Sequence, residues 1–212
     1  VTSENDAPVL SEIGDQGTLE DTPLTVELSA EDGDGDNLIF TAESSSEEVE
    51  VLITEGILTL TPVLNFNGTS EITVTVSDLF LEDSETFILT VNPVNDAPVL
   101  SEIGDQGTLE DTPLSINLES SDVDGDSLIY SVVSGSPLDV SVILDGSELT
   151  LTPALNFNGS VDISVSVSDG ELTDSETFVL TVTSENDAPV LSEIGDQGTL
   201  EDTPLSINLE SS

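Results

Sequence analysis

Short runs in which every second residue is apolar recur along the chain, and no stretch shows a helical period. Leu24, Val26 and Leu28 alternate with Thr25 and Glu27. Leu38 and Phe40 begin a further strand, and Val49, Val51 and Ile53 make another. Glu55-Gly56 turns that strand back into Ile57-Leu58-Thr59-Leu60, which Pro62 and Asn65-Phe66-Asn67-Gly68 bring to an end. Ile72, Val74 and Val76 alternate with Thr73, Thr75 and Ser77. Phe87, Leu89 and Val91 follow after Asp78, and a strand near Val9–Ile13 completes a set of seven. Thr and Ser at the alternate positions fit sheets with one wet side.

Seven short strands between turn signals predict an all-β, immunoglobulin-like β-sandwich. The same order then repeats. The stretch NDAPVLSEIGDQGTLEDTPL occurs three times unchanged, beginning at Asn5, Asn95 and Asn186. A fixed period of this length marks an array of small domains. In the second copy Ile163, Val165 and Val167 repeat the strongest alternation, Asn156-Phe157-Asn158-Gly159 repeats the turn, and Ser147 lengthens a hairpin by one residue. The expected division is 1–7 as the end of a preceding repeat with its linker, 8–96 and 97–187 as whole repeats, and 188–212 as the first two strands of a third. Two strands do not bury a sandwich core. The third repeat is therefore expected to continue in the natural protein, the other reading being that its strands are donated to a neighbouring subunit.

Charge sharpens the picture. The chain carries 45 Asp and Glu and no Lys, Arg or His, for a net charge of −45. No side-chain salt bridge is possible, so each carboxylate must face water, accept hydrogen bonds or meet a cation. Nucleic acid needs Lys and Arg to displace counterions, and an anionic membrane surface would repel this chain. No apolar run is long enough to span a bilayer. Without His, Cys or Lys most general-base and nucleophile schemes lose their parts. A carboxylate pair could cleave glycosides, but small repeated domains rarely offer the cleft, and the expectation is a protein that is not an enzyme. Without Cys there is no disulfide, and sandwiches near this size gain from another staple such as a metal.

Asp32, Asp34 and Asp36 stand at alternate positions of one short loop, and Asp122, Asp124 and Asp126 do the same in the second repeat. Such sets supply the oxygen ligands that calcium takes, and carboxylates this close repel unless neutralised. An EF-hand fits poorly: Asn37 stands where Gly is required, and Val133 stands where the second loop needs the Glu that Glu43 supplies in the first.

The order of motifs resembles cadherin repeats, in particular the bacterial cadherin-like tandem repeats of large extracellular adhesins. Asn95-Asp96-Ala97-Pro98 resembles the linker motif, Leu19-Glu20-Asp21 the first-strand motif, Ala30-Glu31-Asp32-Gly33-Asp34 the Ala-x-Asp-x-Asp motif, and Val76-Ser77-Asp78 the end of the sixth strand. The resemblance implies Ca2+ at each joint between neighbouring repeats. With strands running alternately up and down, one joint would collect Glu20, Asn95 and Asp96 with Asp122, Asp124, Asp169 and Asp126. Asn5, Asp6, Asp32, Asp34 and Asp78 would form a half-site at the upper end, and Glu110, Asn186 and Asp187 one at the lower end. In place of the family's Leu-Asp-x-Glu motif stand Leu64-Asn65-Phe66-Asn67 and Leu155-Asn156-Phe157-Asn158. That exchange implies fewer or weaker ions per joint, with the Asn residues as turn formers and Phe66 and Phe157 as core plugs. The expected function is a calcium-stiffened structural module of a cell-surface or secreted adhesin stalk or filament, with self-assembly into filaments among its expected interactions. The competing readings are a glycan- or protein-binding module and an acidic, salt-adapted surface protein without specific metal sites.

Overall fold

Ile72, Val74 and Val76 are fully buried on one side of a ten-residue strand, so the period-two pattern builds the centre of a sheet. The computed structural model describes residues 4–209 and 211. They divide into two units, Val1–Asp96 and Ala97–Ser212.

Unit 1 contains β1 (Val9–Leu10), β2 (Gln16–Leu19), β3 (Leu24–Glu27), β4 (Ala30–Glu31), β5 (Ile39–Ser44), β6 (Val49–Thr54), β7 (Ile57–Pro62), β8 (Gly68–Ser77) and β9 (Glu82–Asn92). One sheet has the order β2-β9-β8-β5, a second has β3-β7-β6, and β1 pairs with β4. Leu58, Leu60, Ile72, Val74, Val76, Phe87, Leu89 and Val91 form the core, with Phe66 packed against it. Unit 2 repeats the scheme with β10 (Val99–Leu100), β11 (Gln106–Leu109), β12 (Leu114–Asn117), β13 (Ser120–Ser121), β14 (Ile129–Ser134), β15 (Val140–Asp145), β16 (Glu148–Pro153), β17 (Gly159–Ser168) and β18 (Thr173–Thr183). Its sheets are β11-β18-β17-β14 and β12-β16-β15, with β10 on β13.

Nine strands per unit stand where seven were expected, because the first and second each change partners midway. Leu10 pairs with Ala30, whereas Gln16–Leu19 lies parallel to Leu89–Asn92 in the other sheet. Between them the Gln16 amide donates to the Ile13 and Gly14 carbonyls, at 3.0 and 3.3 Å, and so closes the bend. The seven strands still alternate up and down, so β2 and β9, in the first and the seventh, run parallel, and the chain changes sheet after β2, after β4 and again after β5 and β7.

Residues 188–212 differ from expectation more strongly. Among the described residues they hold no strand, only an isolated bridge between Leu191 and Ser211. The same sequence in unit 2 pairs with β16 and β18. Leu191, Leu200 and Leu209 are exposed. No helix among the described residues is long and apolar enough to cross a membrane.

Candidate metal centre

The acidic loop of unit 1 sits between β4 and β5, where Asp32 organises its own followers. Asp32 Oδ1 accepts hydrogen bonds from the Asp34 N–H at 2.9 Å and the Asp36 N–H at 3.0 Å. This is ordinary Asx-turn chemistry, but it uses one oxygen only. Asp32 Oδ2 is buried with no hydrogen-bond partner among the described residues. Asp32, Asp34 and Asp36 each place a carboxylate oxygen within 4.8 Å of the others. Like charges 4 Å apart cost about 1 kcal/mol in water and about 4 at an effective dielectric of 20.

The segment before β1 closes over this loop. The Asp6 N–H donates to Asp34 Oδ2 at 2.8 Å, and the Asn5 amide donates to Asp78 Oδ2 at 2.8 Å. Asp78 is buried at the β8–β9 turn, where its Oδ1 accepts from the N–H groups of Phe80 and Leu81, both at 2.7 Å. The Leu81 backbone, then Asn5, then the Phe80 backbone hold the Asp78 carboxyl below the usual carboxylate range. Asn5, Asp6, Asp32, Asp34, Asp36 and Asp78 therefore share one end of unit 1.

Unit 2 repeats this geometry. Asp122 Oδ1 accepts from Asp124 at 3.0 Å and Asp126 at 3.2 Å, and Asp122 Oδ2 is likewise buried without a partner among the described residues. The three carboxylates again converge within 4.8 Å. Asp169 Oδ1 accepts from the N–H groups of Glu171 at 2.6 Å and Leu172 at 2.7 Å. A partnerless buried carboxylate oxygen at the same place in both repeats, inside a cluster of three acids, fits a hard divalent cation.

At the opposite end of each unit, Glu20 is 4% exposed and Glu110 is 6% exposed. Glu20 Oε1 accepts from the Val94 N–H, and Glu110 Oε1 from the Glu185 N–H. Asn95 donates to the Asp96 carbonyl and Asn186 to the Asp187 carbonyl, each at 3.2 Å. The two glutamates hold the chain leaving β9 and β18 against the ends of β2 and β11.

Several structural carboxylates were not anticipated. Asp21 Oδ1 accepts from the Asn65 N–H at 2.8 Å, and Asp111 Oδ1 from Asn156 at 2.9 Å. Asn65 and Asn156 have φ of 59° and 55°, a left-handed conformation that Asn tolerates. Asp83 and Glu85 accept from Leu10 and Ile13, and Asp174 and Glu176 from Leu100 and Ile103. The recurrent Asp-Ser-Glu-Thr-Phe, at Asp83 and again at Asp174, was the available signal. One aromatic departs from the inward register: Phe80 is 82% exposed.

Residues 5–90 and 95–183 each match the bacterial Ig domain family. Chitinase A of Pseudoalteromonas piscicida is 28% identical over 117 residues, which is 54% of this chain and 14% of that enzyme. The chain thus spans about a seventh of that relative's length. Human protocadherin-24 EC1-2 superposes with a TM-score of 0.56 at 19% identity, over 85% of this chain and all of that one. Drosophila N-cadherin EC1-4 gives 0.53 at 18% identity, over 86% of this chain and 50% of its own. These likenesses establish the tandem sandwich fold.

Proposed function

Because the chain belongs to the bacterial Ig domain family, with two copies of the domain, we propose that it is a non-catalytic structural module of an extracellular adhesin stalk or filament, stiffened by calcium between its repeats. Domains of this kind are commonly extracellular or on the cell surface. The observation that carries the reading is the buried, partnerless oxygen of Asp32 and of Asp122, each inside a three-carboxylate loop.

In this reading Glu20, Asn95 and Asp96 supply one side of a joint, and Asp122, Asp124, Asp126 and Asp169 the other. Asn5, Asp6, Asp32, Asp34, Asp36 and Asp78 are the upper ligand set of the first repeat. Glu110, Asn186 and Asp187 serve the next joint. The ion supplies positive charge between oxygens that otherwise repel. This chain's own residues hold those oxygens in place: the Asp34 and Asp36 amides orient Asp32, and the Phe80 and Leu81 amides orient Asp78. Binding to the folded state alone also raises stability by mass action.

Calcium titration by calorimetry on the whole chain tests the proposal. Saturable binding that Asp32→Asn with Asp122→Asn weakens is expected. Equal stabilisation by sodium and calcium at matched ionic strength would instead favour general salt adaptation, which the charge of −45 also motivates.

A further inference from the structure

Four carboxylates in each unit join the entering segment to the last strand, and they reach across from both sides. In unit 1, Asp83 and Glu85 of β9 accept from the N–H groups of Leu10 and Ile13, at 2.8 and 2.9 Å. In return Asp15 and Glu20 of the entering segment accept from the N–H groups of Ile88, at 2.9 Å, and of Val94. Unit 2 repeats all four: Asp174 and Glu176 hold Leu100 and Ile103, and Asp105 and Glu110 hold Val179 and Glu185. The chain has no Lys, Arg or His, so these acids take backbone N–H groups where other proteins offer cationic side chains. Hydrogen bonds to an ionised group are roughly twice as strong as neutral ones.

These ties frame a short parallel ladder. Gln16–Leu19 lies beside Leu89–Asn92, and the Glu20 N–H donates to the Asn92 carbonyl at 2.9 Å. The chain enters unit 1 at Asn5, whose amide is bonded to Asp78 shortly before β9 begins. It leaves through Val94, just after β9 ends. Entry and exit therefore lie at opposite ends of β9, an 11-residue strand about 36 Å long. A pull on the two ends of the unit drags β2 and β9 past each other along their common axis. Ladder and ties are then loaded together, in shear, rather than opened one at a time. On its other side β9 pairs with β8 from Gly68 to Ser77, so β2 is the neighbour with fewer bonds to lose.

We propose that each unit is a load-bearing element, in which the parallel ladder of first and last strands and its four carboxylate ties form the clamp that resists tension along the chain. The proposal takes the source of the load from the stalk reading, but the clamp needs no metal. Forced unfolding is governed by the unfolding rate rather than by equilibrium stability. That difference separates a clamp from general support of the fold.

Single-molecule force spectroscopy on the full chain, held at its two ends in chelator, tests this. One rupture per unit is expected, with unit 2 as the reference inside each molecule. Asp15→Ala with Glu85→Ala is expected to make unit 1 rupture about tenfold faster or more at a fixed load. Glu85→Gln, which keeps an acceptor and loses the charge, should do so less. Val49→Ala removes buried contacts from β6 in the other sheet. It is expected to lower the thermal midpoint of unit 1 while its rupture rate stays within about twofold of the wild type. The chain has no cysteine of its own, so Thr22→Cys with Val94→Cys places both handles at the end where β9 exits. That pull peels β2 from β9, and rupture is expected at a lower load. Tie variants that rupture like the wild type overturn the proposal, as does a Val49→Ala chain that ruptures as fast as they do, or equal loads in the two pulling directions. Should the double variant not fold, Glu85→Gln and the two pulling directions decide alone. A chain that binds no calcium in calorimetry but keeps these differences loses the calcium reading and retains the clamp.

Discussion

The side-chain amide of Asn5 donates to Asp78 Oδ2 at 2.8 Å, across 73 residues of sequence, and so pins the entry of unit 1 to the turn between its two longest strands. The backbone N–H groups of Leu81 and Phe80 complete the cage around the same carboxylate. All three favour the ionised form, and together they lower its pKa. The folded value therefore lies below the unfolded one, near 3.9 for a free Asp. Stability from this group is present above that value and is lost as pH falls through the folded pKa. Asp78→Asn should flatten the fall in melting temperature in the acid range below about pH 4. An unchanged acid limb in thermal melts would remove Asp78 from the account.

Metal loading should act on the two acidic loops separately. At a calcium concentration a hundredfold above Kd, one site binding only the folded state adds about 2.7 kcal/mol. Asp32→Asn removes the charge of the carboxylate that carries the partnerless Oδ2 and should abolish most of that gain for unit 1 alone. Asp122→Asn should do the same where Asp122, Asp124 and Asp126 converge. Calorimetric scans with calcium or chelator measure both effects. Since Asp124 and Asp126 lean on Asp122 through their N–H groups, Asp122→Ala should cost stability even in chelator.

The legible part of this fold is the part with a local period. Ile72, Val74 and Val76 announce a buried strand because a strand repeats every two residues, and the loops at Asp32 and Asp122 announce themselves by spacing. The break between Leu10 and Gln16 was not legible. It depends on which sheet lies beneath each half of the strand, and β9, the partner of the second half, lies more than 70 residues away. The same distance hid the roles of Asp15, Asp83 and Glu85. Each carboxylate was expected to meet water, a hydrogen bond or a cation, and only the fold reveals which.

Those three residues give the next prediction. Asp83 Oδ2 accepts from Leu10 at 2.8 Å, Glu85 Oε2 from Ile13 at 2.9 Å, and Asp15 Oδ1 from Ile88 at 2.9 Å. They bind the irregular segment between β1 and β2 to β9. Asp83→Ala leaves the partly buried Leu10 N–H without its acceptor, a loss of roughly 1–3 kcal/mol. Asp174→Ala should cost unit 2 a similar amount, because Leu100 donates to Asp174 at 2.9 Å. Hydrogen exchange would show the loss as faster exchange at Leu10 or Leu100 while the centre of β8 or β17 stays protected.

The Asn-Gly turn before β8 supplies a test of packing without charge. Gly68 has φ of 145°, and a Cβ there would lie 3.4 Å from Phe66 Cζ, with Phe66 itself packed on the core. Gly159 repeats this with φ of 149° and 3.3 Å to Phe157. An L side chain at either position meets a strained backbone and a tight ring at once. Gly68→Ala should therefore destabilise unit 1 by roughly 1–3 kcal/mol. Gly17 is the control: its φ is ordinary, and a Cβ would meet only the Thr90 carbonyl at 3.7 Å. Gly17→Ala should stay within about 0.5 kcal/mol of the wild type. Urea denaturation of the two variants decides the matter. Equal midpoints would mean that Phe66 yields freely, and that the ring covers the core without being held by the glycine beneath it.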